Sequence, residues 1–299
     1  MNPENETHKT VKNSCHASED FYKDFSSGKK SSSAARNSPE DVKEELVISL
    51  VQSDIANGDI PANIAHFGQI IASGTADLWV LPETFATGFA STAPSLAQKD
   101  GGQVLQWMKD TAAAHSTAIC GTVITEDNGR RFNRFYMVDS AGKVQHYDKR
   151  HLFSYGNEQK HISQGTERPV WTLLGWKIMP LVCYDLRFPV WSRNDSEYEL
   201  MIVTANWPES RITAWDVLLR ARAIENMAYV AGVNRVGNDI LGSVHTGHSL
   251  AYSPLGKIIG ESENGTECVV QVKMSYSRVH NIRDKYGFLA DKDRFEISM

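Results

Sequence analysis

From Leu46 onward the chain alternates short β-branched apolar runs with stretches whose apolar residues recur at helical spacing. That alternation confines it to an α/β fold. Residues 46–51, 78–81, 118–124, 170–174, 176–183 and 200–203 read as buried strands. Ile60, Ile64, Phe67, Ile70 and Ile71 predict a helix, with Asp59 as its N-cap and Gly74 as its stop. A second helix is predicted around Val104, Leu105, Met108 and Ala112, and a short one from Arg187. The clearest helix covers 210–228, capped by Ser210. A hairpin over 132–148 turns at 140–142, and strands near 229–236, 247–253, 257–261 and 267–273 complete the pattern. Antiparallel pieces interleaved with βα units predict mixed sheets. No linker or long repeat interrupts 46–299, so these residues are expected to form one domain.

The preceding 45 residues hold no Leu, Ile or Trp and are dense in Ser, Lys, Asn and Glu. Such a segment buries too little apolar surface to offset its conformational entropy, so 1–45 is expected to be a disordered tail. Glu4, Glu6, Glu19, Asp20 and Asp24, with a single Arg before residue 40, argue against a transit peptide. The whole chain carries 31 basic and 36 acidic residues. That balance lacks the basic surplus of a nucleic-acid binder. No apolar run approaches the roughly 18 residues a membrane helix needs. Cys15, Cys120, Cys183 and Cys268 are widely spaced, which suggests neither a zinc ribbon nor a redox pair. With no signal-peptide core at the N-terminus, a cytoplasmic protein with reduced thiols is expected.

Three predicted strand ends carry reactive groups, where α/β folds place their chemistry. Glu83 follows Leu81-Pro82, Lys149 follows Tyr147-Asp148, and Cys183 follows Leu181-Val182. Each has a plain structural reading: a helix-capping carboxylate, a solvated lysine, a small buried hydrophobe. Together they form a base, a cation and a nucleophile.

In these contexts Glu83, Lys149 and Cys183 resemble the carbon–nitrogen hydrolase (nitrilase) superfamily. The resemblance runs through Pro-Glu-Thr-Phe at 82–85, Asp-Lys-Arg-His-Leu-Phe at 148–153 and Cys-Tyr-Asp-Leu-Arg-Phe-Pro at 183–189. It continues at Asn206-Trp207-Pro208, at 220–226 and at 247–256. It implies an αββα sandwich with mixed sheets, pairing through helices into a four-layer αββααββα homodimer. It also implies a second glutamate, placed here at Glu158, seven residues before Gly165.

By that resemblance Glu83 takes the proton of Cys183, whose sulfur attacks an amide carbon. Lys149 and the Tyr184 N–H hold the oxyanion, and Glu158 orients Lys149 or the water. No cofactor or metal is required. Within the superfamily, 148–153, 205–209, 222–226 and Asp293-Arg294-Phe295 are most similar to omega-amidases, which cleave 2-oxoglutaramate or 2-oxosuccinamate. The alternative is a relative that acts on an N-carbamoyl amine, another aliphatic amide or a nitrile, since the mechanism is shared and only pocket shape separates them. A small anionic amide needs a cation and a wall. Arg187 is the candidate clamp, or else pairs with Asp185; Trp207 and Phe89 are candidate walls, or else core. His245 and His248 are expected to be structural rather than metal ligands.

Overall fold

The computed structural model describes residues 42–89 and 94–298. Residues 1–41 of the expected tail lie outside them. Residues 42–45 already belong to the fold: Lys43 N–H donates to the Leu174 carbonyl at 3.0 Å, and Tyr276 N–H to that of Glu44 at 2.8 Å.

The first half of the chain contains β1 (Glu45–Gln52), α1 (Ile60–Ala72), β2 (Leu78–Val80), β3 (Gln98–Lys99) and α2 (Gln103–Ala114). It continues with β4 (Ala118–Asp127), β5 (Arg130–Val138) and β6 (Val144–Asp148). The second half opens with β7 (Trp171–Leu173), β8 (Trp176–Val182), α3 (Pro189–Ser192), β9 (Leu200–Ala205) and α4 (Ile212–Asn226). There follow β10 (Tyr229–Asn234), β11 (Val236–Asn238), β12 (Val244–Thr246), β13 (Leu250–Tyr252), β14 (Ile258–Glu261), β15 (Cys268–Ser275) and α5 (Tyr276–Tyr286).

One sheet runs β15-β1-β2-β4-β5-β6, with β3 beside β4; the other runs β14-β13-β10-β9-β8-β7. Each has three parallel strands at its centre, β1-β2-β4 and β8-β9-β10, flanked by antiparallel neighbours. The sheets are therefore mixed, as the alternating pattern implies.

Alternating side chains sort the strands between two cores. Leu46, Ile48, Leu50, Leu78 and Val80 join residues of the second sheet in the central cluster. Val51 and Trp79 face the other way and pack with Phe67 and Ile70 of α1 and Val104 and Met108 of α2. Trp215, Leu219 and Ala223 of α4 cover the far side of the second sheet. The layers are α, β, β, α.

Local details depart from the sequence pattern. Asp59 caps α1, accepting the Ala62 N–H, but Ser73 rather than Gly74 closes the helix. Ser210 is not a cap: it lies in a 3-10 turn, and α4 begins two residues later with no side-chain cap. The helix expected from Arg187 begins at Pro189, after a tight turn over Cys183–Arg187. Proline suits the first helical position because it has no N–H to leave unpaired. The β11–β12 hairpin and α5 had no counterpart in the sequence pattern.

Candidate active site

Strands of both sheets end around one cavity of about 330 Å³. Glu83 follows β2 and Lys149 follows β6, whereas Cys183 and Asn206 follow the parallel neighbours β8 and β9. All four line the cavity. Each group follows a strand hydrogen-bonded within its sheet, so the reactive groups sit on rigid supports.

Glu83, Lys149 and Glu158 are buried, and Cys183 is partly exposed. Lys149 Nζ donates to Glu83 Oε1 at 3.0 Å and to Glu158 Oε2 at 2.9 Å. Asn133, in the middle of β5, donates from Nδ2 to Glu83 Oε1 at 2.8 Å and reaches Glu158 Oε1 at 3.4 Å. The other Glu83 oxygen accepts the Asn206 backbone N–H at 2.8 Å, and Glu158 Oε2 accepts that of Phe153 at 2.7 Å. Every carboxylate oxygen is thus held by donors, which fixes both side chains and compensates their burial.

Burial works against the Lys149 charge, but Glu158 and then Glu83 outweigh it and hold the ammonium well above its ordinary pKa. Burial, reinforced by Glu83, pushes the Cys183 thiol well above its ordinary value, with Lys149 opposing. The resting sulfur is therefore a thiol.

Three non-glycine backbones here sit in the left-handed region, at Cys183 (φ 46°), Thr84 (φ 50°) and Asn157 (φ 58°). Ordinary residues rarely adopt it, and such strain gathers where surroundings force a side chain into position. Gly165 shows the same crowding. Its N–H donates to the Lys149 carbonyl at 3.0 Å, and a β-carbon there would lie 2.0 Å from the Asp148 carbonyl oxygen.

The carbon–nitrogen hydrolase family model matches residues 47–284. This chain belongs to the carbon–nitrogen hydrolase family. It is a hydrolase of carbon–nitrogen bonds, and it matches its relatives over nearly their whole length. An omega-amidase, YafV of Escherichia coli, is 42% identical over 255 residues, covering 84% of this chain and 98% of its own. A 2-oxoglutaramate amidase of Bacillus subtilis is 34% identical over 82% of this chain and 96% of its own. Among solved structures, XC1258 from Xanthomonas campestris, a CN-hydrolase superfamily protein, is 38% identical. It covers 86% of this chain and 100% of its own, with a TM-score of 0.83.

In this carbon–nitrogen hydrolase, every catalytic and substrate-binding candidate read from sequence reaches the cavity or its buried wall. Phe89, Tyr184, Arg187 and Trp207 line it with Glu83, Lys149 and Cys183, and Glu158 stands behind Lys149. Arg187 makes no ion pair with Asp185; its guanidinium lies 4.8 Å over the Trp207 ring. Asp185 instead accepts from Tyr147, Val182 and His151.

The histidines divide. His248 faces Asp216 at 3.2 Å and His280 faces Glu199 at 3.2 Å, whereas His245 lines the cavity. Burial, and then Arg235, lower the His245 pKa, so the ring is neutral at pH 7. Among the described residues no cluster of His, Cys, Asp and Glu could hold a metal ion, and no helix is long and apolar enough to cross a membrane.

Sequence reasoning missed Asn133 and Arg211, and it named Asn206 within the Asn206-Trp207-Pro208 motif without giving it a role. Asn133 shares the strand face of Phe135 and Met137, which pack in the central core, and a polar residue on that face marks it as unusual for a buried strand. Arg211 carries no local signal; the turn after Pro208 brings it to the cavity.

Proposed function

We propose that this carbon–nitrogen hydrolase is an amidase that releases ammonia from the terminal amide of a small 2-oxo acid, through a thioester on Cys183. The observation that carries the reading is the buried Glu83–Lys149–Glu158 cluster opening on the Cys183 thiol.

A protonated thiol is a poor nucleophile, so its proton must leave as the sulfur attacks. Glu83 takes it, and the sulfur adds to the amide carbon. The oxyanion that forms is held by the Lys149 ammonium and the Tyr184 N–H. Two fixed donors aimed at developing charge lower the barrier because they need not reorganise. Glu83 then gives its proton to the nitrogen, and the C–N bond breaks to leave ammonia and a thioester. Water, deprotonated by Glu83, attacks that thioester and regenerates the thiol. Glu158, with two of its donors from Lys149, keeps the ammonium in place throughout.

The substrate class rests on the cavity and on the relatives. Arg187 has no counter-ion among the described residues and faces a cavity of a size suited to a small amide. The similar proteins of E. coli and B. subtilis are an omega-amidase and a 2-oxoglutaramate amidase. The homodimer is part of the same proposal: Val217 and Ile224 stand exposed on the outer face of α4, where a second copy would cover them.

The test is ammonia release by the intact protein and by Cys183→Ala. The panel holds 2-oxoglutaramate, 2-oxosuccinamate, glutamine, asparagine, N-carbamoyl amines and nitriles. Preference for the 2-oxo amides, lost in Cys183→Ala, supports the proposal. Turnover confined to carbamoyl compounds or nitriles overturns the substrate, and an active Cys183→Ala overturns the thioester.

A further inference from the structure

Two guanidiniums share the cavity, and neither has an anionic partner among the described residues. Arg187 lies 4.8 Å over the Trp207 ring, and Arg211 lies 5.2 Å over the Phe153 ring. Both are half-buried. Trp207 links them: its ring carries Arg187, and its indole N–H donates to the Arg211 carbonyl at 2.8 Å. The second aromatic seat is tied to the reactive cluster, because Phe153 N–H donates to Glu158.

The carboxylates on the cavity wall are already engaged. Glu83 has donors on both oxygens. Asp239 accepts the Leu241 and Ser243 N–H groups of its own loop at 2.9 and 2.8 Å, both on Oδ1, and makes no ion pair with either arginine. Two like charges held in a half-buried pocket lose hydration and repel each other, a cost that a bound anion offsets. Each cation lies over an aromatic ring rather than against a carboxylate, which holds it at the cavity without neutralising it and leaves N–H donors for a planar acceptor to pair with.

We propose that Arg211 is the second cation of a clamp formed with Arg187, and that the pair selects amides ending in a 2-oxo carboxylate. This rests on the substrate reading given above. A 2-oxo carboxylate presents three acceptor oxygens, more than one guanidinium fork engages, and a second fork takes up the remainder. Arg211 is thus a specificity-determining residue that touches the far end of the substrate, away from the amide.

The experiment compares kcat/KM for 2-oxoglutaramate and for its methyl ester in the intact enzyme, Arg211→Met and Arg211→Lys. The intact enzyme prefers the acid. In Arg211→Met the acid-to-ester ratio falls about 10- to 100-fold, chiefly through KM for the acid, as expected for a lost charged hydrogen bond. Arg211→Lys, which keeps the charge but not the fork, recovers part of the ratio and reports on the clamp even if the Met variant folds poorly. Equal losses on acid and ester in both variants would mean that Arg211 only buttresses Phe153, which overturns the clamp. A full preference for the acid retained by both variants overturns it too. An intact enzyme that turns over acid and ester equally overturns the substrate reading itself.

Discussion

The buried carboxylate of Asp185, two residues beyond Cys183, accepts the backbone N–H of His151, two residues beyond Lys149, at 2.8 Å. It also accepts the Tyr147 hydroxyl at 2.8 Å and the Val182 N–H at 3.0 Å. One side chain thereby sets the spacing between the turn that carries the thiol and the loop that carries the ammonium. Removing it would leave several buried donors unpaired, at about 1–3 kcal/mol for each. Asp185→Ala should therefore lower both the thermal midpoint and kcat, and Asp185→Asn, which keeps one acceptor oxygen, should lose less of each. A normal kcat in Asp185→Ala would show that the two loops are positioned without it.

Lys149→Arg tests the ammonium with its charge retained. Nζ sits in a buried niche between Glu83 Oε1 at 3.0 Å and Glu158 Oε2 at 2.9 Å, matched to a compact donor. A planar guanidinium is wider and would displace one carboxylate or lose the oxyanion. Loss of one such donor typically costs about two to three orders of magnitude in kcat. Steady-state kinetics of a folded Lys149→Arg decide the point, and wild-type turnover would remove Lys149 from the mechanism.

Legibility from sequence followed burial. β1, β2, β8 and β9 are dense in Val, Ile and Leu because both faces are covered, and their ends led directly to Glu83 and Cys183. α5 escaped because its only fully buried residues are Val279 and Ile282, too few to set up a period, although Ser275 accepts the Arg278 N–H as its cap. The β11–β12 hairpin escaped because its turn exposes Ile240 and Leu241, so no buried-strand pattern marks it. Asn133 and Asn206 act through contacts with Glu83, distant in sequence by 50 and 123 positions. No local pattern encodes such a contact. Arg187 was legible as a cation, but its partner was not, since Trp207 lies on a different loop, the one after β9.

The proposed homodimer makes α4 the next test. Trp215, Leu219 and Ala223 face the sheet, while Val217 and Ile224 point outward, 60% and 51% exposed. Two large apolar groups seven residues apart share one helix face and favour a self-complementary contact. Val217→Glu combined with Ile224→Glu should shift the protein to monomer in sedimentation at micromolar concentration, because two copies would bring like charges together. An intact protein that sediments as a monomer would reject the proposal directly.

Acid stability tests a separate cluster at the start of β15. Glu267 Oε1 accepts the Ser53 hydroxyl at 2.6 Å and the Asp54 N–H at 2.9 Å, and faces His66 Nε2 at 3.2 Å. Burial opposes the charge, but the contacts from His66 and Ser53 outweigh it and bring the carboxyl from an ordinary 4.5 down to about 2. A carboxyl whose pKa is lower in the folded state stabilises the fold above its unfolded value, and that contribution fades as pH falls from 4.5 toward 2. His66 has the opposite sign. The Glu267 contact, set against burial, raises its pKa above 6.5, so its contribution is full below 6.5 and is lost as pH rises through the raised value. The pair is therefore strongest between these limits. Glu267→Gln should lower the thermal midpoint most near pH 5.5, and the gap to wild type should narrow as pH falls from 4.5 toward 2. It should also narrow in part above the raised His66 value. Thermal melts of both proteins across that range decide it, and a gap that stays constant down to the acid limit would mean that Glu267 contributes shape rather than charge.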